Sequence, residues 1–177
     1  MRQWGLLLVV ACLVAAGCGG DDSTSPSPNP NPTTVSFKAT LLPANETPTA
    51  VTGGEASGTG TANITFNLTR NTAGAIQSGT VDFQYTLTGF PAGTTIILSH
   101  IHTGASGVAG GVLISTGQSA ASTLGLPAGS GSWAAAGVSG VDAATLQAII
   151  DNPAGFYFNV HSQNFPGGVA RGQLVKQ

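Results

Sequence analysis

Apolar and polar positions alternate along most of the chain beyond residue 34. Val35, Phe37, Ala39 and Leu41 alternate with small or polar neighbours, which predicts a half-buried strand that Pro43 ends. The span 55–68 repeats the pattern: Ala62, Ile64, Phe66 and Leu68 share one face, and Thr61, Asn63, Thr65 and Asn67 share the other. A glycine-containing loop over 70–79 leads to a third strand on Val81, Phe83, Tyr85 and Leu87. After the turn Gly89-Phe90-Pro91-Ala92-Gly93, a fourth strand over 94–102 is more continuously apolar and is expected at the centre of a sheet. Further strands are expected over 110–115, 131–138, 156–161 and 169–176, the last two joined by Phe165-Pro166-Gly167-Gly168. Only 141–150 changes period. Its apolar residues recur at helical spacing, Asp142 or Ser139 can cap it, and Asn152-Pro153 stops it, so a short helix should lie over an open end of the sheets. About eight short strands and one helix predict an all-β, antiparallel β-sandwich, with a closed β-barrel as the alternative.

The first 34 residues follow other rules. Arg2 and the apolar run Leu6 to Ala16 resemble a signal peptide over residues 1–17, and the run is too short to span a bilayer. Ala15-Ala16-Gly17-Cys18 resembles a bacterial lipobox, although Ala15 stands where Leu is commoner. That resemblance implies cleavage before Cys18 and acylation of Cys18, giving a lipid anchor with more than one chain. Residues 18–34 then form a tether: Pro26, Pro28, Pro30 and Pro32 recur at alternate positions and favour extended polyproline II. The expected domain is 35–177. The expected location is the bacterial cell envelope, facing outside the cytoplasm, at the outer membrane or cell surface, with the membrane as partner through the lipid.

Charge narrows the function classes. Charged residues make up 7% of the chain, against about 25% in an average soluble protein. Five basic residues face seven acidic ones, for a net charge of −2. A nucleic-acid partner is excluded, because too few cations exist to neutralise several phosphates. Cys12 falls in the leader and Cys18 is the lipid site, so the domain has no thiol for catalysis, zinc or a disulfide.

Three histidines carry the candidate chemistry. They occur in Ser99-His100-Ile101-His102-Thr103-Gly104 and Tyr157-Phe158-Asn159-Val160-His161. Residues two apart on a strand share a face. His100 and His102 therefore project together, as do Tyr157, Asn159 and His161. If the two strands are neighbours, three imidazoles converge on a site suited to Cu or Zn. Ring nitrogens within about 4 Å of one another would fit a shared ion. The alternative is structural, with the histidines fixing the adjacent glycine-rich loop by hydrogen bonds. Glu46 and Arg171 form a second pair, expected to tie the first strand region to the last as an ion pair. Tyr85, Trp133 and Tyr157 read as core or rim aromatics. No serine elbow, triad, phosphate loop or dinucleotide fingerprint is present, so no catalytic residue is assigned.

These segments, in this order, resemble the CHRD (chordin) domain family over nearly all of 35–177. The matching elements are Leu41 to Pro48 with Glu46, the segment His100-Ile101-His102-Thr103-Gly104, the segment Tyr157 to Ser162, and Gly167 to Leu174 with Ala170 in place of the usual Ile. The resemblance implies an immunoglobulin-like β fold and a secreted context. Three functional readings follow: a non-enzymatic binding or structural lipoprotein with a protein or cell-surface partner, a copper- or zinc-binding protein, and an adhesion or matrix module. The histidine pattern also resembles a fragment of copper–zinc superoxide dismutases, which would add redox activity. That family's bridging histidine and zinc-loop aspartate have no counterpart here.

Overall fold

The structure is a computed structural model that describes Met1 and residues 31–177; the leader, Cys18 and most of the tether lie outside the described residues. Ten strands and one helix follow in chain order: β1 (Thr34–Leu41), β2 (Thr59–Arg70), β3 (Ile76–Thr88), β4 (Thr94–Thr103), β5 (Val112–Ser115), β6 (Leu124–Leu126), β7 (Gly131–Val138), α1 (Ala143–Asp151), β8 (Phe156–Ser162), β9 (Ala170–Gln173) and β10 (Val175–Lys176). They form two antiparallel sheets. One is ordered β10-β1-β2-β3-β7; the other is β5-β4-β8-β9, with β6 also on β4. The sheets are open, so the fold is a sandwich and no barrel closes among the described residues.

Alternation builds the core. Phe37, Ala39 and Leu41 of β1, Ile64 and Phe66 of β2, and Phe83, Tyr85 and Leu87 of β3 are buried on one face. Ile96, Ile101, Phe158 and Val160 answer from the other sheet. Phe158 bridges the layers, with its ring 6.0 Å from that of Phe83 and 5.8 Å from that of Tyr85. Asp142 caps α1 by accepting a hydrogen bond from the Thr145 backbone N–H, and the helix buries Leu146 and Ile149 against the core.

The sequence expectations need four corrections. Residues 76–79 already belong to β3, because 71–75 suffice for the turn. Glu55 lies in a 3-10 turn over Gly53–Ser57, not in a strand; its buried carboxylate accepts from Ser162 Oγ (2.5 Å) and Asn164 Nδ2 (2.6 Å). β6 is an added strand. The terminal segment divides into β9 and β10, which pair in different sheets, so there are ten strands among the described residues and not about eight.

β4 is central in its sheet, pairing with β5, β6 and β8. A register shift between Ile96 and Leu98 lets Ile96, Ser99 and Ile101 face inward while His100 and His102 face outward. β8 needs no such shift. Phe158 and Val160 enter the core, and Tyr157, Asn159 and His161 share the outer face with the β4 histidines.

Candidate metal centre

Strand pairing places the histidines together. His100 lies opposite Asn159, which lies opposite Arg171, making one row across β4, β8 and β9. His102 lies opposite Tyr157 in the next row, and His161 lies opposite Leu98. One ligand nitrogen from each of His100, His102 and His161 lies within 4.8 Å of the others. The two segments are thus neighbours, at a spacing somewhat wider than the roughly 4 Å that two ligands with ~2 Å bonds can span. On a tetrahedral ion with ~2 Å bonds two ligands lie ~3.3 Å apart, so the widest pair would close by about 1.5 Å around an ion, shared between two rotatable imidazoles.

Although on the outer face, all three are buried, at 9%, 7% and 6% exposure for His100, His102 and His161. Two loops cover them. Residues 104–111 fold back over the sheet, held by Gln173 Nε2 donating to Gly104 O (3.0 Å) and Arg171 Nη1 donating to Val108 O (3.1 Å). Residues 163–168 cover the other side.

Each loop presents a carbonyl to a ring. His102 Nδ1 is 3.1 Å from Gly110 O, and His161 Nδ1 is 2.9 Å from Pro166 O. A carbonyl only accepts, so both Nδ1 atoms carry the proton and both Nε2 atoms are bare lone pairs. His161 Nε2 accepts from His100 Nδ1 at 3.2 Å. His102 Nε2 is buried and has no hydrogen-bond partner. Metal-ligating histidines are commonly oriented in this way, with the far nitrogen donating to a carbonyl and the near one left to bind.

Electrostatics keep the cluster neutral. Burial, then the neighbouring His161 and His102, lower the pKa of His100 from 6.5 to about 4. Burial also lowers His102 and His161, against the opposing hydrogen bonds from Gly110 and Pro166. No carboxylate joins the three rings among the described residues.

A cation stands behind the rings. Tyr157 stacks on His102 with centroids 4.9 Å apart and planes 6° from parallel, and Arg171 Cζ lies 4.1 Å from the Tyr157 centroid. Because β8 lies between β4 and β9, Tyr157 separates the imidazole from the guanidinium. Arg171 is 1% exposed.

Glu46 and Arg171 do come near each other, and they share no hydrogen bond. Glu46 Oε2 accepts from Asn159 Nδ2 (3.3 Å), while Glu46 Oε1, Arg171 Nε and Arg171 Nη2 have no partner. Burial raises the Glu46 pKa from 4.5 to about 7, opposed by the charge of Arg171 and then by the Asn159 hydrogen bond. The first strand region is tied to the last through the backbone instead: Leu42 bridges Arg171, and Asn45 Nδ2 donates to Arg171 O at 3.1 Å.

The family model for the CHRD domain matches residues 37–174. The chain belongs to the CHRD domain family. No curated protein and no solved structure matches it. All the residues described above in this CHRD domain's centre fall inside the matched span.

Sequence reading placed the three histidines and their shared face. It missed Tyr157 as the wall of the site, Asn159 as the link to Glu46, and the two loop carbonyls. The glycines beside both carbonyls were the available signal. A Cβ on Gly110 would collide with the Thr103 carbonyl. One on Gly168, whose φ is +134°, would lie 2.6 Å from Glu46 Oε2 and 2.8 Å from Asn159 Nδ2. Both loops can lie this close to the sheet only because those positions lack a side chain.

Proposed function

We propose that this CHRD domain is a metal-binding module of the cell envelope, holding one copper or zinc ion through His100, His102 and His161 and carried on a lipidated stalk. The observation that supports it best is His102 Nε2: a buried lone pair with no partner, aimed into a cluster that offers two more ring nitrogens. A histidine kept to pin a loop needs its Nδ1–H···O bond and nothing else. Leaving the second nitrogen desolvated and unpaired costs about 1–3 kcal/mol, which an ion would offset. The ~3.3 Å separation of two ligands on a tetrahedral ion with ~2 Å bonds is close to the 3.2 Å between His100 Nδ1 and His161 Nε2. On binding, His100 would move its proton to Nε2 and both nitrogens would turn to the ion. The anchor rests on Ala15-Ala16-Gly17-Cys18 and the proline-rich stretch after it.

The test is metal titration of protein purified without a histidine tag, after exhaustive dialysis against a chelator. One equivalent should bind, and His102→Ala should abolish tight binding while keeping the native circular dichroism spectrum. Absence of any stoichiometric binding would leave the histidines as loop fasteners and defeat the reading.

A further inference from the structure

We propose that the three-histidine centre selects copper in its monovalent state, and that Arg171, acting across the face of Tyr157, is the residue that sets this preference. The inference rests on the metal reading above and goes beyond it by fixing the charge of the ion.

Charge decides the matter. The three ligands are neutral imidazoles, and no carboxylate stands with them to offset a dication. The rings are nine-tenths buried or more, so an ion there gives up most of its water. The Born cost of desolvation grows with the square of the charge, making it about four times larger for a divalent ion than for a monovalent ion of equal size. Three nitrogen donors complete a trigonal set for a monovalent copper ion, whereas zinc on three histidines takes a fourth ligand, commonly a water, which this covered site would have to admit.

A fixed positive charge adds to this. Arg171 is fully buried, and its guanidinium is a cation. Its guanidinium carbon is 4.1 Å from the Tyr157 centroid, and that ring is 4.9 Å from His102. The charge therefore lies no more than about 9 Å from the His102 ring, the sum of these two separations. A unit charge at about that distance, in an effective dielectric near 20, shifts the ratio of monovalent to divalent affinity by roughly tenfold. Glu46 is the opposing charge. It lies beyond Asn159, bonded to that amide rather than to the guanidinium, and so reduces the field of Arg171 without cancelling it.

The experiment compares Ag⁺, a monovalent probe that does not change oxidation state, and Cu⁺ held under anaerobic conditions with Zn²⁺, each titrated into the folded protein in competition with a chelator of known affinity. The wild-type domain should bind one equivalent of either monovalent ion more tightly than Zn²⁺, by at least the roughly tenfold that the Arg171 charge contributes. Arg171→Gln should narrow that ratio by roughly tenfold, and Arg171→Lys, which keeps the charge, should restore it. Glu46→Gln, compared with wild type at pH 8 where the Glu46 carboxyl is ionised, removes the opposing charge and should widen the ratio. If Arg171→Gln does not fold, Glu46→Gln decides, because its shift has the opposite sign. Zn²⁺ binding as tightly as Ag⁺, an unchanged ratio in folded Arg171→Gln, or a narrowed ratio in Glu46→Gln would overturn the proposal. Failure to bind any of the three ions is a different result, and defeats the metal reading itself.

Discussion

Replacing Gly168 with Ala should destabilise the domain through the wall of the metal centre. The backbone there has φ +134°, a conformation that side chains rarely adopt, and the added methyl would lie 2.6 Å from Glu46 Oε2 and 2.8 Å from Asn159 Nδ2. Backbone strain of this kind costs about 1–3 kcal/mol. Pushing Glu46 from Asn159 forfeits a hydrogen bond worth about 1 kcal/mol. Together these come to about 2–4 kcal/mol, which lowers the Tm of a domain of this size by about 5–15 °C. Gly167→Ala is the control, since nothing lies within 4 Å of a Cβ at that position; it should stay within about 0.5 kcal/mol of wild type. Thermal melts followed by circular dichroism on both variants suffice. Equal melting temperatures for the two variants would refute the claim that loop 163–168 is pressed onto the site by an obligatory glycine.

Other outcomes follow from the same structure. Metal-free protein should lose stability on acidification from pH 6.5 to 4.5. The folded histidines have pKa values below 6.5, so the unfolded chain takes up protons first. Glu46, raised to about 7, acts in the opposite sense across this window, because the folded carboxyl keeps a proton that the unfolded one has released. It offsets His100, whose shift is of similar size, and leaves His102 and His161 to set the sign; a Tm that is flat or higher at pH 5 than at pH 7 contradicts this. Metal at a hundredfold excess over its Kd should add about 2.7 kcal/mol to stability, read as a rise in Tm that is absent in His161→Ala. Phe158→Ala, which removes the ring between Phe83 and Tyr85, should cost about 3–5 kcal/mol in denaturant melts. Cys18→Ser should move the protein from the membrane fraction to the soluble fraction; unchanged partitioning would remove the lipid anchor.

Period-two alternation was enough to find β1, β2, β3, β4 and β8, because each has one face in the core and the other toward solvent or a loop. It also put His100, His102 and His161 on one face, since parity along a strand survives any uncertainty in its ends. β6 was not legible: Leu124–Leu126 is three residues long and contains no full period. Nor was the division between β9 and β10. Gly172 passes so close to the Thr40 carbonyl that a Cβ there would collide with it, so the chain crosses from one sheet to the other within a few residues. That crossing is a tertiary event with no local pattern. Alternation alone places Glu55 in a strand for a similar reason, as its partners Ser162 and Asn164 lie more than a hundred positions away. The features that orient the histidines are backbone carbonyls at Gly110 and Pro166, and side-chain spacing cannot reveal a carbonyl.

X-ray absorption at the metal edge of the loaded domain tests the central claim most directly, because it counts the atoms bound to the ion. Convergence of β4 and β8 predicts a first shell containing three imidazole nitrogens at about 2.0 Å, falling to two in His161→Ala forced to load at metal concentrations far above those that saturate the wild type. A shell of oxygens alone, or one unchanged by that substitution, would show that the outward faces of the two strands do not meet around a metal.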